Sequence, residues 1–396
     1  MYLQILLAIA LGTITGTITG LIPGIHVNLI AVLIISLTLP LQPIVLAIFI
    51  LSVAITHSFL DSIPSIYLGA PDEAQALNVL PGHRLLHQGL GHQAITYTLL
   101  GSFGSLIICV IFFPLFIKII KFIYPYLKPI ISLILIFVVL YMILKEKNKR
   151  VASLLSFLLS GILGLIVFSI PNLQQPLFPL LSGLFGLSII ITSLEQKSII
   201  PKQSPDQPLN ISKTNTAKSL TAASFVGLIA AFLPGFGNSQ AAIIATQFLK
   251  KIGDEGFLTL VGGINTANMI ISIATAYTLQ KARNGAIVTI LSILNAINQN
   301  QILIFLAVAL TVGGLAVILG VNLSKQFLKL IQKVNYRKLM LTIIIFIILL
   351  TIYFDLFLGL LILITATAIG LLATSWNVGK NHLMGCLILP VIIYLI

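Results

Sequence analysis

The chain has 396 residues, of which 58% are hydrophobic and only 8% charged, and its mean hydropathy is +1.12. A soluble domain carries about 25% charged residues, so a water-exposed globule is excluded; apolar runs of about 20 residues divide the length into roughly 10 to 12 membrane segments of an all-α polytopic protein of the cell membrane. The 22 Lys and Arg against 9 acids give a net charge of +13. These basic residues fall in short runs between apolar stretches, where they set topology and touch anionic lipid headgroups, so no nucleic-acid partner is expected.

The first apolar run, from Met1, lacks a basic start and a small-residue cleavage site and is expected to be a retained helix. It leads into Gly16-Thr-Ile-Thr-Gly-Leu-Ile-Pro23-Gly24, followed closely by His26 and Asn28. Proline and glycine inside an apolar run free backbone groups that only protein, water or a ligand can satisfy at membrane depth. A re-entrant helical hairpin fits this pattern, because the helix restarting after Gly24 would aim its unpaired N–H groups and positive dipole end at an anion. An ordinary proline kink fits it too. His26 is either a donor at the hairpin tip or a packed polar side chain.

About 30 residues on, a polar stretch interrupts the next apolar run: His57, Asp61, Ser62, Pro64 and Ser65. An acid here costs about 2.5–3.5 kcal/mol to insert. Asp61 therefore lines a hydrated cavity, pairs with His57 one helical turn away, or couples to a cation or proton; an acid at an interfacial helix end is the bland alternative. Asp72 and Glu73 read as capping or water-facing acids, and Asp355 as a loop residue. His83, Arg84, His87 and His92 share one short segment. No cysteine or well-spaced acid completes a metal shell there, and a basic loop facing an anion or headgroups is the better reading.

Three basic interruptions, Lys145 to Arg150, Glu195 to Lys218 and Asn322 to Lys338, are expected as cytoplasmic loops. Val151 to Ile170 and Leu177 to Leu194 then cross out and back, as do Leu339 to Phe354 and Leu356 to Thr374, with Lys380 inside. Lys118, Lys121 and Lys128 break this parity, so either that helix pair is interfacial or the orientation is reversed. The Pro-, Ser- and Gln-rich stretch 195–218 is expected to link two halves, 1–194 and 219–396. The second half repeats the first: Gly227 to Pro234-Gly235 parallels Gly16 to Pro23-Gly24 and is followed by the polar Asn238 and Ser239. Asn265, Thr266, Asn268, Ser272 and Thr275 form its later polar break. Paired interruptions in corresponding halves mark a carrier's midplane site. Cys109 and Cys386 lie in apolar runs without ligand or disulfide spacing. There is no HExxH, GxSxG or Walker motif, so no enzyme is expected.

Ser62-Ile-Pro-Ser-Ile-Tyr-Leu-Gly-Ala-Pro71, then Leu80-Pro-Gly-His-Arg-Leu-Leu-His-Gln-Gly89, with Phe232-Leu-Pro-Gly-Phe-Gly237 and Gly263-Ile-Asn-Thr-Ala-Asn268 in the second half, resemble the signatures of the large membrane subunit of tripartite tricarboxylate transporters, the TctA family, in its archaeal stand-alone branch. Asp72 and His83 depart from the usual pattern. The resemblance implies a secondary carrier of organic anions with two inverted repeats, each holding a re-entrant hairpin and a broken helix. It also implies an extracytoplasmic binding protein and a small membrane subunit as companions, and leaves a homodimer open. The expected substrate groups are Pro23, Gly24, His26, Asn28, Ser62, Ser65, Pro234, Gly235, Asn238, Ser239, Asn265, Thr266 and Asn268. Asp61 and His57 are expected to couple to H+ or Na+, with no other cofactor. A membrane enzyme acting on a lipid-linked substrate at His83, Arg84 and His87, and a non-transporting scaffold or channel, are the rival readings.

Overall fold

The computed structural model describes residues 2–395 apart from 23–26, 28–29, 31–40, 70–72, 128–129, 147, 172, 196–200, 233–236, 250–251, 283 and 334–335. Pro23, Gly24, His26, Asn28, Pro234 and Gly235, the expected hairpin tips, lie outside the described residues. Among the described residues seven helices are long and apolar enough to cross a membrane, and four shorter apolar helices accompany them.

The chain opens with α1 (Tyr2–Leu21), whose Leu3, Leu7, Leu11, Ile14 and Ile18 are exposed. That spacing draws one lipid-facing stripe. Its opposite face carries Gly12, Gly16 and Gly20, packed on the backbone of α2 (Pro43–Leu60), since small residues let apolar helices approach where lipid supplies no hydrophobic drive. After Asp61 the chain continues as α3 (Ser62–Leu68), a 3-10 turn (Glu73–Asn78) and α4 (Val79–His87). Pro64 brings no N–H, which weakens the helix just beyond Asp61.

α5 (Gly91–Ile111) and α13 (Gly253–Leu279) form the central contact. A Cβ on Gly101 would lie 1.9 Å from the Thr259 carbonyl, so only glycine permits this approach. Of the 18 most apolar consecutive residues in Pro43–Leu68 and in Gly253–Leu279, 78% and 83% are buried by protein, against 33% in α1, which puts these two stretches at the centre of the fold. The expected break at Asn265 to Thr275 is not found: α13 runs through it as one helix. Ser272 Oγ donates to the Asn268 carbonyl at 2.7 Å and Thr275 Oγ1 to the Ser272 carbonyl at 2.8 Å. With no proline in the stretch, these polar side chains satisfy themselves on their own helix and leave the backbone ladder whole.

α6 (Phe113–Leu127) is amphipathic, burying Phe113, Phe116 and Ile120 while Lys118 and Lys121 are exposed. That is the make-up of an interfacial helix, the first of the two alternatives for this segment. α7 (Ile131–Lys145) and α8 (Arg150–Ser169) follow. Then come α9 (Leu177–Leu181), a π-helical turn (Ser182–Leu187) and α10 (Ser188–Glu195). The second half continues with α11 (Lys213–Phe232), α12 (Asn238–Phe248) and α13, then α14 (Gly285–Leu294).

The loop expected from Asn322 is instead the end of α15 (Gln299–Lys333). Its 35 residues span about 52 Å at about 1.5 Å each, beyond a hydrocarbon core of about 30 Å, so its basic last turns emerge as solvated helix. α16 (Tyr336–Ser375) is broken at Leu356, where φ is 51°. Both arms pack on the α9–α10 stretch, Met340, Ile343 and Ile347 from one and Leu363 from the other joining Phe178, Leu187 and Ile190. Asp355 is therefore not a loop residue. It is 6% exposed and its Oδ1 accepts the N–H groups of Gln174 at 2.6 Å and Gln175 at 3.2 Å, pinning the break to the start of α9. A short 3-10 turn (Lys380–Met384) and α17 (Gly385–Leu395) end the chain.

The basic segments gather at one end. Lys145 Nζ donates to Gln247 Oε1 at 3.1 Å, Lys149 Nζ to the Asn377 carbonyl at 2.8 Å, and Lys325 pairs with Asp206 at 3.0 Å. Gln203 Nε2 donates to the Leu86 carbonyl at 2.8 Å, which lays the stretch 201–210 over the α4–α5 turn.

Candidate functional site

The two most buried stretches meet at Asp61. The carboxylate is 5% exposed, and each oxygen takes a side-chain amide. Oδ1 accepts from Gln75 Nε2 at 2.8 Å and Oδ2 from Asn265 Nδ2 at 3.2 Å. Behind each amide stands another. Asn238 Nδ2 donates to Asn265 Oδ1 at 2.9 Å, and Asn268 Nδ2 donates to Asn238 Oδ1 at 2.6 Å. On the other side Asn78 Nδ2 donates to Gln75 Oε1. Every amide dipole in the series therefore points its positive end towards Asp61. Chains of hydrogen bonds polarise one another in a low-dielectric interior, so the charge of one carboxylate is spread over five amides drawn from both halves of the chain.

Local structure explains the convergence. The helix weakens at Asp61, and Asn265 Nδ2 also donates to the Ser58 carbonyl at 3.2 Å, fixing α13 against the end of α2. Asn265 and Asn268 are three residues apart and so share one face of α13. Asn238 opens α12 directly after Gly237, which lets its side chain reach both of them. Ser65 Oγ donates to the Gln75 carbonyl at 3.1 Å, holding the 3-10 turn against α3. Ser62 Oγ and Thr98 Oγ1 share a bond of 3.1 Å, and His57 Nδ1 and Thr19 Oγ1 another of 3.1 Å.

Of the residues expected from sequence, Asp61, Asn238, Asn265 and Asn268 form the relay, Ser65 braces it and Ser62 borders it. Ser239 and Thr266 are buried beside Asn238 and Asn265 in sequence. Gln75, Asn78, Thr19 and Thr98 were not expected. The signal for the first two was available: amides three residues apart between Pro71 and Pro81, in a stretch too short to span. His83 and His87 have ring centroids 6.3 Å apart, and among the described residues no group of three His, Cys, Asp or Glu could hold a metal ion. Arg84 does not face open solvent alone. It pairs with Asp254 of α13, its Nε donating to Oδ2 at 2.9 Å.

The family described as the tripartite tricarboxylate transporter TctA family matches residues 6–385. The chain belongs to the TctA family. It is 33% identical over 356 residues to the uncharacterized protein MJ1079 of Methanocaldococcus jannaschii, covering 87% of each chain. No solved structure matches significantly. As a TctA protein with seven candidate spans, the chain is a multi-pass membrane protein of a transporter family, and its family name points to tricarboxylate-type transport.

Proposed function

We propose that this TctA chain is a secondary carrier of small di- or tricarboxylates, driven by a proton or sodium gradient, with its coupling centre at Asp61. The observation that carries the reading is the relay: five amides from two halves converge on one carboxylate buried in the two most enclosed membrane segments. An intramembrane acid is expensive unless it serves an ion or substrate path. Asp61 supplies a site that a proton or sodium ion neutralises, and His57, one turn earlier, lies beside it in sequence as the second coupling group. Rotating the flanking amides turns their oxygens toward a cation or their N–H groups toward a substrate carboxylate, so ion and anion compete for or share the same dipoles.

In this reading the substrate binds between the Asn238 start of α12, the Asn265–Asn268 face of α13, and Ser62 and Ser65. The Pro-Gly tips at Pro23-Gly24 and Pro234-Gly235, with His26, Asn28, Ser239 and Thr266, complete the pocket. The halves act as inverted repeats moving against each other. An extracytoplasmic binding protein delivers the anion, and a small membrane subunit assists. The test is uptake of labelled citrate and succinate into vesicles holding the purified chain, with imposed proton or sodium gradients. Uptake that needs a gradient and is lost in Asp61→Asn supports the reading; gradient-driven uptake unchanged in that variant overturns Asp61's role.

A further inference from the structure

A cavity of about 410 Å³ lies at the basic end of the molecule, lined among others by Leu77, Arg84, Phe185, Asp254, Lys380 and Asn381. Its walls come from both halves, including the 3-10 turn Lys380–Met384 that precedes α17. Three features mark it as built for a ligand. First, its charged lining sets Arg84 and Lys380 against Asp254, and burial lowers the Lys380 amine to about 7, so an anion that reaches it would also hold its proton. Second, Lys380 is held by neutral groups. Its Nζ donates to Ser188 Oγ at 2.6 Å and to the Gly370 carbonyl at 3.2 Å, and no carboxylate among the described residues pairs with it. Ser188 Oγ itself donates to the Leu184 carbonyl at 2.7 Å, so its lone pairs are free to orient the amine. Third, this support is a helix defect. The π-helical turn Ser182–Leu187 puts Phe185 in the wall and Ser188 beneath the amine. A Cβ on Gly370 would lie 2.5 Å from the Leu184 carbonyl, so glycine is what lets α16 close on the turn. π-turns within helices are concentrated at functional sites.

The 3-10 turn Glu73–Asn78 separates this cavity from the relay. Ala76 and Leu77 line the cavity, while Gln75 and Asn78 of the same turn donate toward Asp61. One six-residue turn is thus the partition between the two.

We propose that this cavity is a second anion station, binding a small polycarboxylate through the Lys380 ammonium and the Arg84 guanidinium, with Asp254 as the internal carboxylate that the anion displaces from Arg84. The Arg84–Asp254 pair joins the two halves, so binding exchanges an intramolecular bridge for a ligand bridge and loosens the mouth of the cavity. Arginine suits this exchange because its planar fork takes one carboxylate as readily as another. Lysine 380, already oriented, contributes a point charge. The class of anion rests on the carrier reading; the station itself rests on the cavity.

The test is citrate titration of the purified full chain in lipid nanodiscs by calorimetry, with the emission of Trp376 followed in parallel. This is the single tryptophan of the sequence, four residues before Lys380. Lys380→Gln is expected to weaken citrate binding at least tenfold and Lys380→Arg to restore it to within about threefold. Asp254→Asn is expected to tighten binding several-fold, a gain that misfolding cannot produce. Citrate affinity unchanged in Lys380→Gln, affinity lost in Asp254→Asn, or no citrate binding by the unmodified chain would each overturn the station. Gradient-driven uptake with Lys380-independent binding sinks the station and spares the carrier reading. Lys380-dependent binding in a chain that transports nothing does the reverse.

Discussion

Replacing Gln75 by leucine tests the relay without removing its charge. Gln75 Nε2 donates to Asp61 Oδ1 at 2.8 Å, and Gln75 Oε1 accepts from Asn78. A hydrogen bond to an ionised group contributes about 1.5–3 kcal/mol and a neutral one about 1 kcal/mol. Leucine has nearly the volume of glutamine, so little cavity cost adds to this, and Ser65 still holds the backbone of the turn. The expected destabilisation is about 2–4 kcal/mol, because a buried carboxylate oxygen loses its donor while the charge stays. In an Asp61→Asn background that charge is gone, and the same substitution should cost only about 1 kcal/mol. The difference, a coupling energy of about 1–3 kcal/mol, is of the size measured for directly interacting groups. Denaturant unfolding of the four proteins of this cycle in one detergent measures it. A cost below about 0.5 kcal/mol for Gln75→Leu, or an equal cost in both backgrounds, would show that the relay does not carry the charge of Asp61.

Gly101→Val should destabilise by about 3 kcal/mol or more, since its side chain must enter the Thr259 backbone and overpacking a tight contact costs about 1–3 kcal/mol before any backbone shift; thermal unfolding of the purified variant checks this. Asp355→Ala removes the acceptor of the Gln174 and Gln175 N–H groups, and because these positions are exposed and half-buried water can take its place, so a loss of about 1–3 kcal/mol is expected from two hydrogen bonds at about 0.5–1.5 kcal/mol each, read in the same assay. His83 of α4 is held down to about 4 by burial and, secondarily, by the nearby His87. The unfolded chain therefore binds the extra proton first, so stability is full above the unfolded value of about 6.5 and falls as pH drops from there toward 4. Unfolding temperatures across pH 4 to 8 should show this slope, flattened in His83→Leu; equal slopes would remove His83 as its source.

Membership of the membrane class, the α-helical segments and the burial of Asp61 were all legible in the chain, because each rests on a local cost. Lipid tolerates neither charge nor unpaired backbone, so an acid between Leu60 and Ser62 announces itself whatever surrounds it. An interruption of the helical run at Asp355 was legible for the same reason, and the chain does kink at Leu356, although the depth of Asp355 was not. Where a side chain can repair the backbone on its own helix, the same cue misleads: Ser272 and Thr275 bond to their own helix, and α13 stays continuous through a stretch that reads as a break. Asn322 to Lys333 misled in the opposite sense, since polar sequence leaving the membrane continues as helix once water can solvate it.

The tertiary structure alone decided which groups face Asp61. Asn265 lies 204 residues from it, and the paired polar stretches pointed to one shared site without showing that this amide bonds this carboxylate; Gln75, 14 residues away, was marked by nothing in hydropathy or repeat spacing. Likewise Arg84, Asp254 and Lys380 become neighbours of one cavity only through the packing of three distant segments. Burial cost is a property of each residue and can be read along the chain, whereas the partner that offsets it is a property of the packed whole.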